Sequence, residues 1–298
     1  MSLSSRRRLQ GLGTLLALVA ITALPLFADE RRDTGAATAD AWNSDASAIV
    51  VAGDNAARLE AIRQRLQAAG FEVTGLPFTS GDHQGLNLLA EVAGDADAPL
   101  LLLGAHADRV DEGEGAVDNA SGVAVALALA ERFRERPLQG HRVAVAFWDL
   151  EERGLLGARD YVASGGEQPA LYVNFDVFGW GDTLWMMAPE LSDPLVSAGD
   201  SAAESAGIGF SATAEHYPPT DHLAFLRAGW PAVSYSLMDA EEISAVEAMM
   251  QGNQPDAPPR VMQVIHTAQD TREQLDQAAV ARGIDVVEAA LRAWDAGA

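Results

Sequence analysis

The sequence predicts an α/β fold: a three-layer sandwich with a mostly parallel, mixed central sheet and helices on both faces. Three observations predict it. The runs 99–103, 143–148 and 171–175 are apolar without alternation, which is how strands buried on both faces read. Between them lie stretches whose apolar residues recur three and four apart, the helical period. The two element types alternate along the chain, which calls for a sheet covered by helices on either side.

The elements follow in order. A helix is expected over 55–69, with Leu59, Ile62, Leu66 and Ala69 on one face. Short strands are expected at 71–73 and 86–92, and a fully buried one at Leu100–Leu103 behind Pro99. Next come a helix over 121–133, a strand over 143–148, a helix over 155–162 and a strand over 171–175. Strands at 183–187 and 232–237 and helices at 194–206 and 221–228 complete the middle of the chain. The C-terminal helix presents Ile284, Val287, Leu291 and Trp294. An acidic, then Pro-rich stretch at 241–260 reads as a loop or small insertion, placed to act as a substrate lid.

Composition sets the boundaries. The chain has 298 residues, 48% of them hydrophobic, enough for one large core. Net charge is −23 and all 20 basic residues are Arg, so the positive face that nucleic acid requires is missing. With no cysteine, disulfides are excluded and stabilisation falls to packing and bound metal. Residues 1–28 read as an export signal or anchor: Arg6, Arg7 and Arg8, then an apolar run from Leu12 to Phe27, with a cleavage position after Ala28. Ser5-Arg6-Arg7-Arg8-Leu9 resembles a twin-arginine signal. The expected location is periplasmic or secreted, with anchoring if the segment is not cleaved. Residues 29–45, polar and Ala-rich, read as a flexible tether, and 46–298 as one folded domain.

In open α/β sheets ligands bind outside the carboxyl ends of the strands, so the residues after each apolar run deserve inspection. There stand His106 and Asp108, then Glu151 and Glu152, then Asp176, then His266 after the run 261–265, with Asp118 just ahead of a helix. Singly each has an ordinary explanation: a His-x-Asp triplet is often incidental, Glu151-Glu152 suits a helix start, and Asp118-Asn119 suits a turn. Asp176 is harder to dismiss, because a carboxylate in a buried strand is costly unless paired or bound to a cation. Placement of all of them at one sheet edge points to a metal centre. Asp118, Glu152, Asp176 and a bridging hydroxide carry the charge that balances two Zn²⁺, with His106 and His266 as one neutral ligand each. Histidine and carboxylate ligands without cysteine are the pattern of catalytic zinc. Asp108 is placed to accept a hydrogen bond from His106 and fix its ring.

Gly104-Ala105-His106-Ala107-Asp108, Asp118-Asn119-Ala120-Ser121-Gly122, Glu151-Glu152-Arg153-Gly154, Asn174-Phe175-Asp176, Thr220-Asp221-His222 and His266-Thr267-Ala268-Gln269-Asp270 follow one another in this order. As an ordered set they resemble the motifs of the bacterial di-zinc aminopeptidases, whose relatives include glutaminyl cyclases and glutamate carboxypeptidases. The resemblance implies His106, Asp118, Glu152, Asp176 and His266 as ligands of two Zn²⁺ per chain, with Asp118 bridging and a cis peptide between Asp118 and Asn119. It implies Glu151 as general base and Tyr217, four residues before Asp221, as the group that stabilises the oxyanion. The expected activity is hydrolysis of the first peptide bond of peptides with a free amino terminus. Cyclase-like acyl transfer on a single zinc, or a non-catalytic binding module, are the alternatives. Val117 and Ala107 depart from the common pattern at positions that supply no ligand.

Overall fold

The structure is a computed structural model that describes residues 24–255 and 257–297, with side chains from residue 36 onward. Most of the expected signal or anchor therefore lies outside the described residues. Among them, no helix is long and apolar enough to cross a membrane. Residues from Gly35 onward form one compact unit.

Eight strands build one mixed sheet: β1 (Val73–Ser80), β2 (His83–Ala93), β3 (Leu100–His106), β4 (Arg142–Trp148), β5 (Leu171–Phe178), β6 (Thr183–Met187), β7 (Gly209–Thr213) and β8 (Ala232–Met238). Their spatial order is β1-β2-β4-β3-β5-β8-β6-β7. The middle strands β4, β3, β5 and β8 run parallel, and β1, β2 and β6 enter antiparallel pairs. Every residue of β3 and β4 is buried, as continuous apolar runs require. Side chains alternate between two cores. Leu101, Leu103, Val143, Val145 and Val173 join the core on one face, with α2 (Asn55–Ala68), α3 (Ser121–Glu135) and α9 (Gln277–Gly297). Leu100, Leu102, Ala144, Ala146 and Tyr172 join the core on the other, with α4 (Leu156–Ala163) and α6 (His222–Arg227). The expected α/β sandwich is thereby realised.

Three expectations are corrected. Residues 29–45 fall inside the helix α1 (Leu24–Ala52), and Trp42 is fully buried with its indole Nε1 donating to the Ser121 carbonyl at 3.1 Å. A tether cannot bury a tryptophan, so packed structure begins ahead of Ala46. The stretch 241–260 is mainly helical. α7 (Ala240–Met250) starts with Glu241 and Glu242 in its first turn, where the helix dipole favours acids, and buries Ile243 and Val246. Its apolar spacing was present in the sequence but masked by the acids around it. The run ahead of His266 is the short helix α8 (Arg260–Val264), not a strand. The edge strand β7, five residues long, exposed at Gly209 and half-buried beyond it, has no counterpart among the expected strands.

The packing of Trp42 yields a test. Trp42→Ala should lower unfolding free energy by about 3–5 kcal/mol through cavity formation and the lost indole hydrogen bond, read by urea denaturation. A change within about 0.5 kcal/mol would mean that residues 36–52 do not belong to the folded unit.

Candidate metal centre

The carboxyl ends of β3 and β4 meet where His106 pairs in register with Trp148. His106 closes β3 and is 1% exposed. Its Nε2 lies 3.0 Å from Asp118 Oδ1 and 3.4 Å from Asp176 Oδ1. His266 Nε2 lies 3.0 Å from Asp118 Oδ2 and 3.0 Å from Glu152 Oε2. The five predicted ligands thus fall into two sets of three: His106 with Asp176, and His266 with Glu152. Asp118 belongs to both through its two oxygens. His106, Asp118 and Glu152 also each offer a ligand atom within 4.8 Å of one another.

Local backbone explains how these side chains converge. Asp118 sits in the irregular turn 116–120, and the Asp118–Asn119 peptide is cis, as the resemblance implied. The turn is held from three sides. Asp270 accepts the amides of Val117 (2.7 Å) and Asp118 (3.3 Å), and Ser121 Oγ donates to the Val117 carbonyl at 2.7 Å. Asn119 Nδ2 donates to the Phe175 carbonyl at 2.9 Å, while its Oδ1 accepts the Gly122 amide at 3.0 Å. A Cβ on Gly122 would lie 2.3 Å from Asn119 Oδ1 and 2.4 Å from the Phe175 carbonyl oxygen, so only glycine allows this close approach.

Asp176 was expected at the end of a strand; it lies within β5, where pairing with β8 shifts register between Phe175 and Phe178. Such an irregularity re-aims a side chain. Left-handed backbone at non-glycine residues is uncommon, yet it recurs around this centre. Leu150 (φ 59°) precedes Glu151, Val177 (φ 54°) follows Asp176, His216 (φ 62°) precedes Tyr217, and His266 itself has φ 59°. Strain of this kind persists where the surrounding structure over-determines the backbone.

Asp108 plays a wider part than expected. His106 Nδ1 is 3.1 Å from the Asp108 carbonyl oxygen and 3.4 Å from its carboxylate. The carboxylate accepts the amides of Glu151 (2.9 Å) and Glu152 (3.2 Å), so one residue fixes both a predicted ligand and the turn carrying the general-base candidate. Arg58, which sequence reasoning passed over, is fully buried and donates to the carbonyls of Ala107 (2.7 Å), Glu114 (3.2 Å) and Gly115 (3.1 Å). It ties the end of β3 to the turn bearing Asp118. A lone arginine on a helix carries no sequence signal of such a role.

The electrostatics are those of a cation site. Burial pulls the His106 imidazole down, but Glu151, Asp108, Asp118 and Asp176 outweigh it and hold its pKa well above the ordinary value. Hydrogen bonds to the carboxylates of Asp118 and Glu152 push His266 up to about 10. Burial pushes Glu151 up to about 10, and the nearby acids Asp221, Asp176 and Asp118 add to this against His106. Glu152 Oε1 and Asp176 Oδ1 are buried without a hydrogen-bond partner among the described residues. Unpartnered carboxylate oxygens facing two imidazoles fit divalent metal ions with a nitrogen and oxygen ligand preference, zinc among them.

A cavity of about 540 Å³ opens onto this centre. Asp118, Glu151, Glu152, Asp176 and His266 form its polar end; Trp185, Met187, Met238, Val246, Met249 and Met262 are among its apolar walls. Pro218, Pro219 and Thr220 also line it, whereas Tyr217 packs its ring against His222, centroids 5.3 Å apart. Burial lowers His222 to about 3, so it is neutral, and holds the Asp221 carboxyl well above its usual range with help from Asp108, Asp176 and Glu152.

The chain belongs to peptidase family M28, whose model matches residues 87–291. It is 28% identical over 249 residues to leupeptin-inactivating enzyme 1 of Streptomyces exfoliatus, an alignment covering 81% of this chain and 55% of that protein. The chain spans about half the length of the curated relatives it matches first. Among solved structures it resembles BSAP, a zinc aminopeptidase from Bacillus subtilis, with a TM-score of 0.57, 24% identity, and coverage of 71% of this chain and 50% of that one. It also resembles Porphyromonas gingivalis glutaminyl cyclase, with a TM-score of 0.68, 19% identity, and coverage of 85% of this chain and 97% of that one. At these identities the structural likenesses speak for the fold.

Asp270 supplies a pH test. Burial, opposed by its backbone hydrogen bonds and reinforced by Asp118, raises its carboxyl from 3.8 to about 6. The folded state then keeps a proton that the unfolded chain releases near 3.8. Its stabilising contribution is greatest below the unfolded value and is lost as pH rises through about 6. In chelator-treated protein, Asp270→Asn should remove a decline on the order of 2–3 kcal/mol between pH 4 and 6, read by denaturant unfolding of both proteins at each pH. Parallel stability curves would contradict the assignment.

Proposed function

We propose that this chain is a metal-dependent exopeptidase that hydrolyses the amino-terminal peptide bond of peptides at a centre of two Zn²⁺. The observation that carries the reading is the sharing of Asp118 between His106–Asp176 and His266–Glu152. Membership of a peptidase family supports the reaction class. Zinc ions held by these ligands would supply Lewis acidity toward the scissile carbonyl and would acidify a water.

The remaining steps belong to the chain. Glu151 borders the cavity and is held at its backbone by Asp108, which suits a base that takes a proton from water and passes it to the leaving amine. A high proton affinity in the protein alone falls when cations replace the repulsion of its acidic neighbours. Tyr217 is the candidate donor to the oxyanion, from the loop that continues into the cavity-lining Pro218–Thr220. The free amino group of a substrate is attracted to the acidic end of the cavity, and the side chain of the residue to be released enters the apolar part. Methionine walls, flexible and polarisable, suit several large apolar side chains better than a single shape. Basic and apolar patterning before residue 28 supports an exported location.

A cyclase reading has one observation in its favour, the near-complete coverage of the Porphyromonas gingivalis glutaminyl cyclase. It predicts one zinc per chain and cyclisation of amino-terminal glutamine. The present chain keeps both sets of ligands, which favours the peptidase.

The purified full chain, assayed on amino-acid anilides and amino-blocked controls, tests the reading: free anilides should be cleaved and blocked ones not. Equal cleavage of both would overturn the exopeptidase assignment. Glu151→Gln should lower kcat by about 10²–10⁴ with zinc content unchanged; activity within a few-fold of the parent would show that another base acts. Calorimetric titration of chelator-treated protein should count two Zn²⁺ per chain. Asp118→Ala should weaken both sites and His266→Ala only one; loss of a single site in Asp118→Ala would contradict bridging.

A further inference from the structure

Two elements that line the apolar cavity differ in kind. One is β6, next to the sheet edge, which contributes Trp185 and Met187; the other is α7, which contributes Val246, Met249 and Met250. A helix against a sheet edge keeps its distance only if something fixes it. Trp185 is 1% exposed, and its Nε1 donates to Thr213 Oγ1 on β7 at 2.8 Å. The same hydroxyl donates to Glu247 Oε1 on α7. Glu247 adjoins Val246, so the indole on one wall and the helix forming the other are joined through a single threonine hydroxyl. The start of α7 is fixed separately: Glu242 accepts from Trp180 Nε1 at 2.9 Å and from the Val261 amide.

We infer that Thr213 and Glu247 are specificity-determining residues: a strut that sets the width of the cavity without touching its contents. The inference rests on the reading that the cavity receives the side chain of the released residue. Each bond of the strut has a distinct task. Donation from Trp185 fixes the rotation of a flat ring that would otherwise present its face or its edge to the cavity. Donation from Thr213 to a carboxylate is charge-assisted and holds the helix at its last full turn. A wall held ready binds a large apolar group without first being ordered, while a small group that leaves the wall untouched gains nothing from it. The strut should therefore separate large from small side chains and leave the reaction at the metal centre alone. Neither residue is among the ligands or the base and oxyanion candidates.

Thr213→Val removes both bonds at nearly constant shape, Glu247→Ala removes one, and Thr213→Ser keeps the hydroxyl. The ratio of kcat/KM for a phenylalanine anilide over an alanine anilide should fall about tenfold in the valine and alanine variants. It should be preserved in the serine variant, with turnover of the alanine substrate and zinc content within twofold of the parent. The double variant Thr213→Val/Glu247→Ala should be no worse than either single one, because the strut acts as a unit. An unchanged ratio in Thr213→Val, or equal loss on both substrates, would overturn the inference. Calorimetric binding of 2-phenylethylamine against ethylamine repeats the comparison without catalysis. If the parent cleaves no anilide, the exopeptidase reading fails while the amine pair still tests the strut. A parent that does not prefer 2-phenylethylamine, or a preference unaltered by Thr213→Val, would overturn it.

Discussion

Everything around the centre follows from crowding carboxylates at the buried carboxyl edge of the sheet. Asp108, Asp118 and Asp221 are all nearly inaccessible, and Glu151, Glu152 and Asp176 adjoin them. Buried negative charge of this density is unfavourable without cations or dense hydrogen bonding. The fold answers in both ways. Acids that face inward to the scaffold are satisfied by backbone amides, Asp108 by Glu151 and Glu152 and Asp270 by Val117 and Asp118. Asp118, Asp176 and Glu152 turn oxygens toward two imidazoles, and Glu152 Oε1 and Asp176 Oδ1 accept no hydrogen bond among the described residues. The first group fixes geometry, and the second is what a divalent cation would neutralise.

The scaffold around this charge is correspondingly rigid. Arg58 reaches from α2 to three carbonyls on both sides of the centre, and Asn119 bridges the Asp118 turn to β5. Residues such as Leu150, Val177 and His266 accept left-handed backbone because several independent contacts fix their neighbours. That distribution ties positions far apart in sequence to one another. Displacing any of these turns would move a carboxylate as well as a loop.

The fold was legible because buried parallel strands leave a strong trace. Leu100–Leu103 and Val143–Trp148 could hardly be anything else, and the strand-end rule then led to His106 and Glu152. Legibility failed where that rule met irregular backbone. Asp176 reaches the centre by a register shift inside β5, and His266 by a left-handed turn behind α8; neither is a strand end. Supporting contacts were less visible still. Arg58, the Asp108 bonds to Glu151 and Glu152, and the Trp185–Thr213–Glu247 chain join residues 28 to 57 positions apart, and no local pattern encodes them. In α7 the acids of the first turn drew attention away from Ile243 and Val246, although the same acids are favourable where they stand.

The cavity joins two unlike materials, and the contrast has a physical use. Its polar end is four acids and the His266 imidazole, while its walls are largely methionine, valine and tryptophan. Charges bordered by apolar walls are poorly screened, so attraction between an acidic end and a cationic amino group is stronger there than at an open surface. The same walls gain from apolar contact only if they keep their spacing, and thioethers alone do not enforce one. Rigidity at the centre comes from many short bonds to backbone; at the walls it has to come from a few long-range ties. Glu242 and Glu247 place such ties on opposite ends of one helix. In this chain the walls can thus change without disturbing the centre, provided the ties are exchanged along with the side chains they hold.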